Sequence, residues 1–281
     1  MASSGTEKLG ILAGVGLLPV LVARAAKKAG YEVEAFGFKG MMDQALYEDA
    51  LVNEFPFCQL GALFTRVEQR GINKAVTIGS IAQTSVIGGM PQFDDLALDI
   101  WKRLPDRRVD TIMEVLVEEL SGRGIEVVEA LSFLSDHLAE AGELTDRKPS
   151  DKEWEDIRFG FKMAKAIGGL DIGQTVVVKH RAVMAVEAVE GTDECIKRGG
   201  ELAKGGGVVV KVAKPGQDMR FDVPTVGRNT LENMKKHGCS VLAIEAGSVL
   251  MVEREALTRL AEDAGICMVS VSAEGMEAAG G

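Results

Sequence analysis

Residues 9–38, LGILAGVGLLPVLVARAAKKAGYEVEAFGF, decide the fold. Residues 9–13 are a short apolar run that ends in Gly14-Val15-Gly16. A helix is predicted from about residue 17 to 29, with Gly30 as its C-terminal stop. Residues 31–38, YEVEAFGF, then read as a second strand. A strand, a glycine turn, a helix and another strand are the opening unit of a parallel sheet. The same stretch carries a superficial likeness to a signal peptide, because a lysine precedes residues 9–23 and small residues follow them. The apolar run is shorter than the roughly 20 residues of a membrane span. Gly14, Gly16 and Pro19 also suit a turn and a helix start, so the segment is read as folded and the chain as cytoplasmic.

Outward from this unit the alternation continues. GALFTRVEQRG (61–71) reads as a helix, 73–78 as a strand and IEVVEA (125–130) as another strand, with a short helix from Ser132. Over 109–120, Val109, Ile112, Met113, Leu116, Val117 and Leu120 recur at helical spacing, and Glu114, Glu118 and Glu119 take the opposite face. The first half is therefore an α/β domain with a parallel sheet covered on both faces. The polar stretch AGELTDRKPSD (141–151) breaks the pattern. We divide the chain into a domain over 1–141, a linker over 142–151 and a second domain over 152–281.

Ser150 and Glu153 form a capping box that starts a helix at about 151–167. TVVV (175–178) and AVMAVEA (182–188) read as a hairpin. A helix capped by Thr192 or Asp193 runs to Lys204, and a strand follows at 207–213. KPGQDMRFDVPTVG (214–227) has no period and reads as a loop. Asn229 caps a helix that ends at Gly238. A strand (241–245), a helix (254–264) and a strand (266–271) complete a second α/β domain with a mixed sheet.

Composition bounds the function. With 281 residues, 46% apolar and 26% charged, the chain is globular and long enough for about two domains. A net charge of −10 disfavours nucleic acid as a partner. Cys58, Cys195, Cys239 and Cys267 are dispersed, as are His137, His180 and His237. That excludes a spaced zinc motif and a disulfide framework.

Three constellations can carry chemistry. The turn Gly14-Val15-Gly16-Leu17-Leu18-Pro19 places backbone N–H groups at a helix start, where phosphate binds. Pro19 replaces the third glycine of the dinucleotide fingerprint, and Phe38-Lys39-Gly40 supplies no carboxylate for a ribose, which disfavours NAD. Glu190-Gly191-Thr192-Asp193 opens a helix. Either its side chains merely cap that helix, or Thr192 contacts phosphate, or Glu190 or Asp193 holds a hard metal. The strongest signal is Lys211 to Asp222. Lys214 and Arg220 can neutralise a diphosphate, and Asp218 and Asp222 can hold Mg²⁺ or orient a water. Residues 195–228 hold seven basic residues against three acidic ones, a basic island in an acidic chain.

LDIGQTVVV (170–178), EGTD (190–193) with Arg198, and KPGQDMRFDVPTVGRNT (214–230) together resemble the LpxI-type UDP-2,3-diacylglucosamine pyrophosphatases. ILAGVGLLP (11–19) is similar to that family's N-terminal glycine turn. The resemblance implies a Rossmann-like N-terminal domain and a C-terminal domain carrying the catalytic motifs. It implies hydrolysis of UDP-2,3-diacylglucosamine to UMP and 2,3-diacylglucosamine 1-phosphate in lipid A biosynthesis, with water attacking the α-phosphate and Mg²⁺ as the ion. It points to Asp222 as the catalytic aspartate and Asp218 as its close competitor, the two also being the expected metal ligands. Lys214 and Arg220 join them, with Gly14, Gly16, Leu17, Thr192, Asp193 and Gln217 expected to contact substrate. Transient contact with the inner membrane follows from a lipid substrate, and a homodimer is compatible. Val15, Gln83 and Val109-Asp110-Thr111 depart from the family pattern. They motivate the alternative of a non-catalytic nucleotide-sugar or glycolipid sensor.

Overall fold

The computed structural model describes residues 6–80, 93–106, 108–220 and 222–278. The chain divides into two compact units, Met1–Ser135 with Asp218–Asp222, and Asp136–Gln217 with Val223–Gly281.

The first unit is a parallel sheet of order β3-β2-β1-β4-β5. Its strands are β1 (Lys8–Ala13), β2 (Glu32–Phe38), β3 (Leu51–Phe55), β4 (Lys74–Ile78) and β5 (Glu126–Val127). β1 pairs with β2 through Leu9↔Val33 and with β4 through Ile11↔Val76. Helix α1 (Leu18–Lys28) follows the glycine turn, as expected, and Gly30 just beyond it has φ +94°. The predicted strand at 125–130 is only two residues long. The strand LVNEF and the helix α4 (Asp95–Arg103) had no expectation. After α2 (Leu46–Asp49), helix α3 (Leu60–Gln69) packs Leu63, Phe64 and Val67 into one core with Phe36, Ala75 and Val127. Helix α5 (Val109–Gly122) adds Val117 and Leu120 to that core, and the one-turn helix α6 (Leu131–Leu134) follows β5. A single carboxylate serves two helix starts: Asp94 accepts from Ala97 N–H at 2.9 Å in α4 and from Gly61 N–H at 2.6 Å in α3.

The second unit carries a mixed sheet of order β6-β13-β11-β9-β7-β8. β9 (Gly207–Lys211), β11 (Cys239–Glu245) and β13 (Cys267–Val271) run parallel, and β7 (Thr175–Lys179) lies antiparallel to β9. β8 (Ala182–Val186) closes the expected hairpin. Its two turn residues, His180 and Arg181, have φ +53° and +55°. The buried carboxylate of Asp156 accepts from both of their N–H groups, which supports a conformation that glycine usually supplies. Residues 142–151 hold structure of their own. Gly142–Glu143 forms β6, antiparallel to β13, and Ser150 and Glu153 make the predicted capping box of α7 (Asp151–Gly169).

Period-two alternation assigns the strand residues to two cores. Val176, Val178, Val208 and Val210 meet Ile157, Phe161 and Ala164 of α7. Val177, Val209 and Leu242 meet α8 (Thr192–Ala203), α9 (Arg228–Lys236) and α10 (Arg254–Asp263). That two-sided burial is why VVV reads as an unbroken apolar run. Short strands β10 (Thr225–Val226) and β12 (Leu250–Met251) pair in parallel. All four cysteines are buried and free, and burial pushes the Cys195 thiol up to about 12. Among the described residues no helix is long and apolar enough to cross a membrane.

Candidate functional site

The glycine turn sits at the carboxyl edge of the first unit's sheet. Gly14 packs backbone to backbone against Gly79: a Cβ on Gly14 would lie 2.7 Å from the Gly79 carbonyl carbon. Gly14 N–H donates to Ile78 C=O at 2.8 Å and Val15 N–H to Ser80 C=O at 2.8 Å. Those two amides are thus used within the fold. The N–H groups of Gly16 and Leu17 have no acceptor among the described residues, and both residues are exposed at the start of α1. They are the part of this turn that can meet an anion or a sugar. Val15, one of the departures, is 44% exposed. Gln83 lies outside the described residues, as do the side chains of Val109 and Asp110.

The loop after β9 opens with Lys214-Pro215-Gly216-Gln217. Gln217 N–H donates to Lys214 C=O at 3.1 Å, and Gly216 has φ +71°. Pro and Gly at the two central positions are what a type II turn demands. The Gln217 side-chain oxygen accepts from Lys214 N–H at 2.8 Å and locks the turn. The Lys214 ammonium lies 2.7 Å from the Asp171 carboxylate. It therefore anchors the loop to the segment after α7, a role the sequence did not suggest.

Asp218–Asp222 belongs to the first unit, although its sequence neighbours on both sides belong to the second. Asp218 accepts from Arg220 three ways: from its backbone N–H at 3.0 Å, from Nε at 2.9 Å and from Nη2 at 2.5 Å. This pairing holds the Asp218 carboxyl below the usual carboxylate range and raises Arg220, whose charge Glu129 and Glu114 also favour. Asp222 N–H donates to Asp218 C=O at 3.2 Å and closes the loop. Thr77, a buried residue of β4 with no sequence signal of function, donates its hydroxyl to Arg220 C=O at 3.0 Å.

In the second unit, Thr192 does not cap α8. Gly191, with φ +84°, is the N-cap residue, and no side chain caps the helix. Thr192 instead donates its hydroxyl to Glu187 Oε1 at 2.7 Å and accepts from Lys211 Nζ at 3.1 Å. Lys211 also donates to Thr225 C=O at 2.9 Å. Lys211 and Glu187 are both buried, which hydropathy alone would not predict for either residue. The Thr175 hydroxyl oxygen, which shares this strand edge through the pairing Thr175↔Lys211, is buried without a partner in the described residues. Glu190 pairs with Arg198 at 2.5 Å, and Asp193 is exposed at the helix start with its C=O held by Asn233. In α9, likewise, Gly227 and not Asn229 stands at the N-cap.

The family profile described as LpxI N-terminal domain matches residues 8–137, and that described as LpxI C-terminal domain matches residues 140–269. The chain belongs to the LpxI family. A relative from Caulobacter vibrioides named UDP-2,3-diacylglucosamine pyrophosphatase LpxI is 30% identical, over 94% of this chain and 98% of that protein. The bifunctional purine biosynthesis protein PurH of Bacillus subtilis is 26% identical over 64% of this chain but only 34% of its own length. In this LpxI-family chain, the fold expectation of a parallel-sheet domain followed by a mixed-sheet domain holds.

No three His, Cys, Asp or Glu side chains converge as a metal cage among the described residues. Mg²⁺ ordinarily takes one or two carboxylates and completes its shell with waters and substrate phosphates. Asp218 spends both carboxylate oxygens on Arg220.

Proposed function

We propose that this chain hydrolyses UDP-2,3-diacylglucosamine to UMP and 2,3-diacylglucosamine 1-phosphate. The observation that carries the reading is the Asp218–Arg220–Asp222 loop, held at Thr77 on β4 in a chain of this family. Asp218 pre-orders the guanidinium in a two-point grip, so Arg220 meets a diphosphate at low entropic cost. Its charge offsets the negative charge that grows on phosphate oxygens in the transition state. Asp222 orients the attacking water and would be the protein ligand of Mg²⁺. Bound Mg²⁺ would supply Lewis-acid polarisation of the phosphate. Gly16 and Leu17 N–H groups contact phosphate or sugar. Lys214 and Gln217 shape the loop's entry. The water oxygen bonds to the α-phosphorus, and the bridging oxygen leaves with the lipid phosphate. A lipid substrate places the protein on the cytoplasmic face of the inner membrane only transiently.

The test is incubation of purified protein with UDP-2,3-diacylglucosamine and Mg²⁺ in ¹⁸O-water, with mass analysis of both products. The reading expects the label in UMP. Label in the lipid phosphate would refute attack at the α-phosphate. Tight substrate binding with no UMP above a blank would make the chain a sensor.

A further inference from the structure

We infer that Thr77 is a positioning residue that docks the Asp218–Asp222 loop on the sheet of the first unit and thereby sets the placement of Arg220 and Asp222. The inference rests on the proposed hydrolysis for its catalytic consequence, but its structural part stands alone. The loop's own bonds are local. Asp218 to Arg220 and Asp222 N–H to Asp218 C=O span at most four residues, so they fix the loop's shape and not its place. The Thr77 bond spans 143 positions and ends on the carbonyl of Arg220 itself.

Thr77 is 4% exposed and lies in a strand whose neighbours Ala75, Val76 and Ile78 are apolar and buried. A hydroxyl there must find a partner or lose free energy, and the partner it has is this loop. Thr77 shares a face of β4 with Ala75, which packs with Val117 and Leu120 of α5. Glu114 on that helix and Glu129 beyond β5 act on the Arg220 guanidinium from the same unit. Backbone anchor and charge thus converge on one residue of the loop. The strand end is also closed tightly nearby, since Gly79 admits no side chain against Gly14. A rigid platform, a buried hydroxyl and a docked carbonyl hold a loop to the fraction of an ångström that catalysis requires.

The test compares Thr77→Val, which keeps shape and strand preference but loses the donor, with Thr77→Ser, which keeps the donor. Both are made in the full chain. The expected result is a fall in kcat of about five- to tenfold for Thr77→Val, from one lost hydrogen bond. KM should stay within about twofold of wild type, and Thr77→Ser should restore kcat to a similar margin. Wild-type kcat in Thr77→Val, an effect confined to KM, or equal damage in Thr77→Ser would overturn the inference. Hydrogen exchange of peptides covering 218–222 provides the second measurement. Faster exchange in Thr77→Val and wild-type exchange in Thr77→Ser are expected; identical exchange in all three proteins would overturn the docking. If the wild type releases no UMP, the proposed reaction fails, and the exchange result alone decides the docking.

Discussion

Replacing Lys211 with methionine removes a buried charge while keeping most of the side-chain volume. Lys211 is 6% exposed, and its ammonium donates to Thr192 Oγ1 at 3.1 Å and to Thr225 C=O at 2.9 Å. The Thr192 hydroxyl in turn donates a hydrogen bond to Glu187, which is 7% exposed. The variant therefore leaves the Thr225 carbonyl and the Thr192 hydroxyl oxygen without this donor. A hydrogen bond from a charged donor contributes about 1.5–3 kcal/mol. Two such bonds are lost, so the lower end of that range sets the expected cost at about 3–4 kcal/mol. In a unit of this size that lowers Tm by about 6–16 °C. The chain has two tryptophans, Trp101 in the first unit and Trp154 in the second. Urea unfolding followed by Trp154 fluorescence in a Trp101→Phe background therefore reports the second unit by itself. Glu187→Gln and the double variant complete a cycle. The double variant should be more stable than the summed single effects by at least about 1 kcal/mol, because both residues bond the one Thr192 hydroxyl. A Lys211→Met cost below about 1 kcal/mol, or additivity within about 0.5 kcal/mol, would refute the view that one network holds the start of α8.

Further outcomes follow from the same geometry. Asp222→Ala should reduce UMP release by at least about a hundredfold with unchanged circular dichroism; full activity would remove Asp222 from the mechanism. Arg220→Ala should raise the Asp218 carboxyl toward its ordinary value, read by carbon-detected NMR titration. Because the folded value is depressed, the stabilisation from this pair is full above the unfolded value near 3.8 and is lost as pH falls through the folded one. A wild-type acid-unfolding curve unchanged by Arg220→Ala below that pH would contradict the pairing. Gly199→Ala should cost about 1–3 kcal/mol, because its Cβ would fall 2.4 Å from the Cβ of Val177 on β7; a neutral result in calorimetry would mean that α8 can lift from the sheet.

Several elements were legible because their signals are local. The glycine turn and helix of residues 9–30, the Ser150–Glu153 capping box and the alternation of 175–186 each follow from neighbouring residues. So does the Pro215-Gly216 turn, where φ demands and sequence agree. LVNEF was missed because an edge strand exposes part of its apolar surface and so carries a weak pattern. Thr192 was read as a cap because Ser, Thr and Asp usually cap helices. The buried Glu187 and Lys211 claim its hydroxyl instead, Glu187 from just after β8 and Lys211 from the end of β9.

The sequence by itself determined the parallel opening sheet, the second mixed sheet and the charged loop at 214–222, all properties of residues close together in the chain. Only the tertiary structure decided that the Gly14 amide closes on β4, that Asp218 is committed to Arg220, and that residues 218–222 belong with the first unit. Each of those outcomes depends on which group lies within about 3 Å of a given donor. For Thr77 that group is a carbonyl 143 positions away, a pairing that no local pattern encodes.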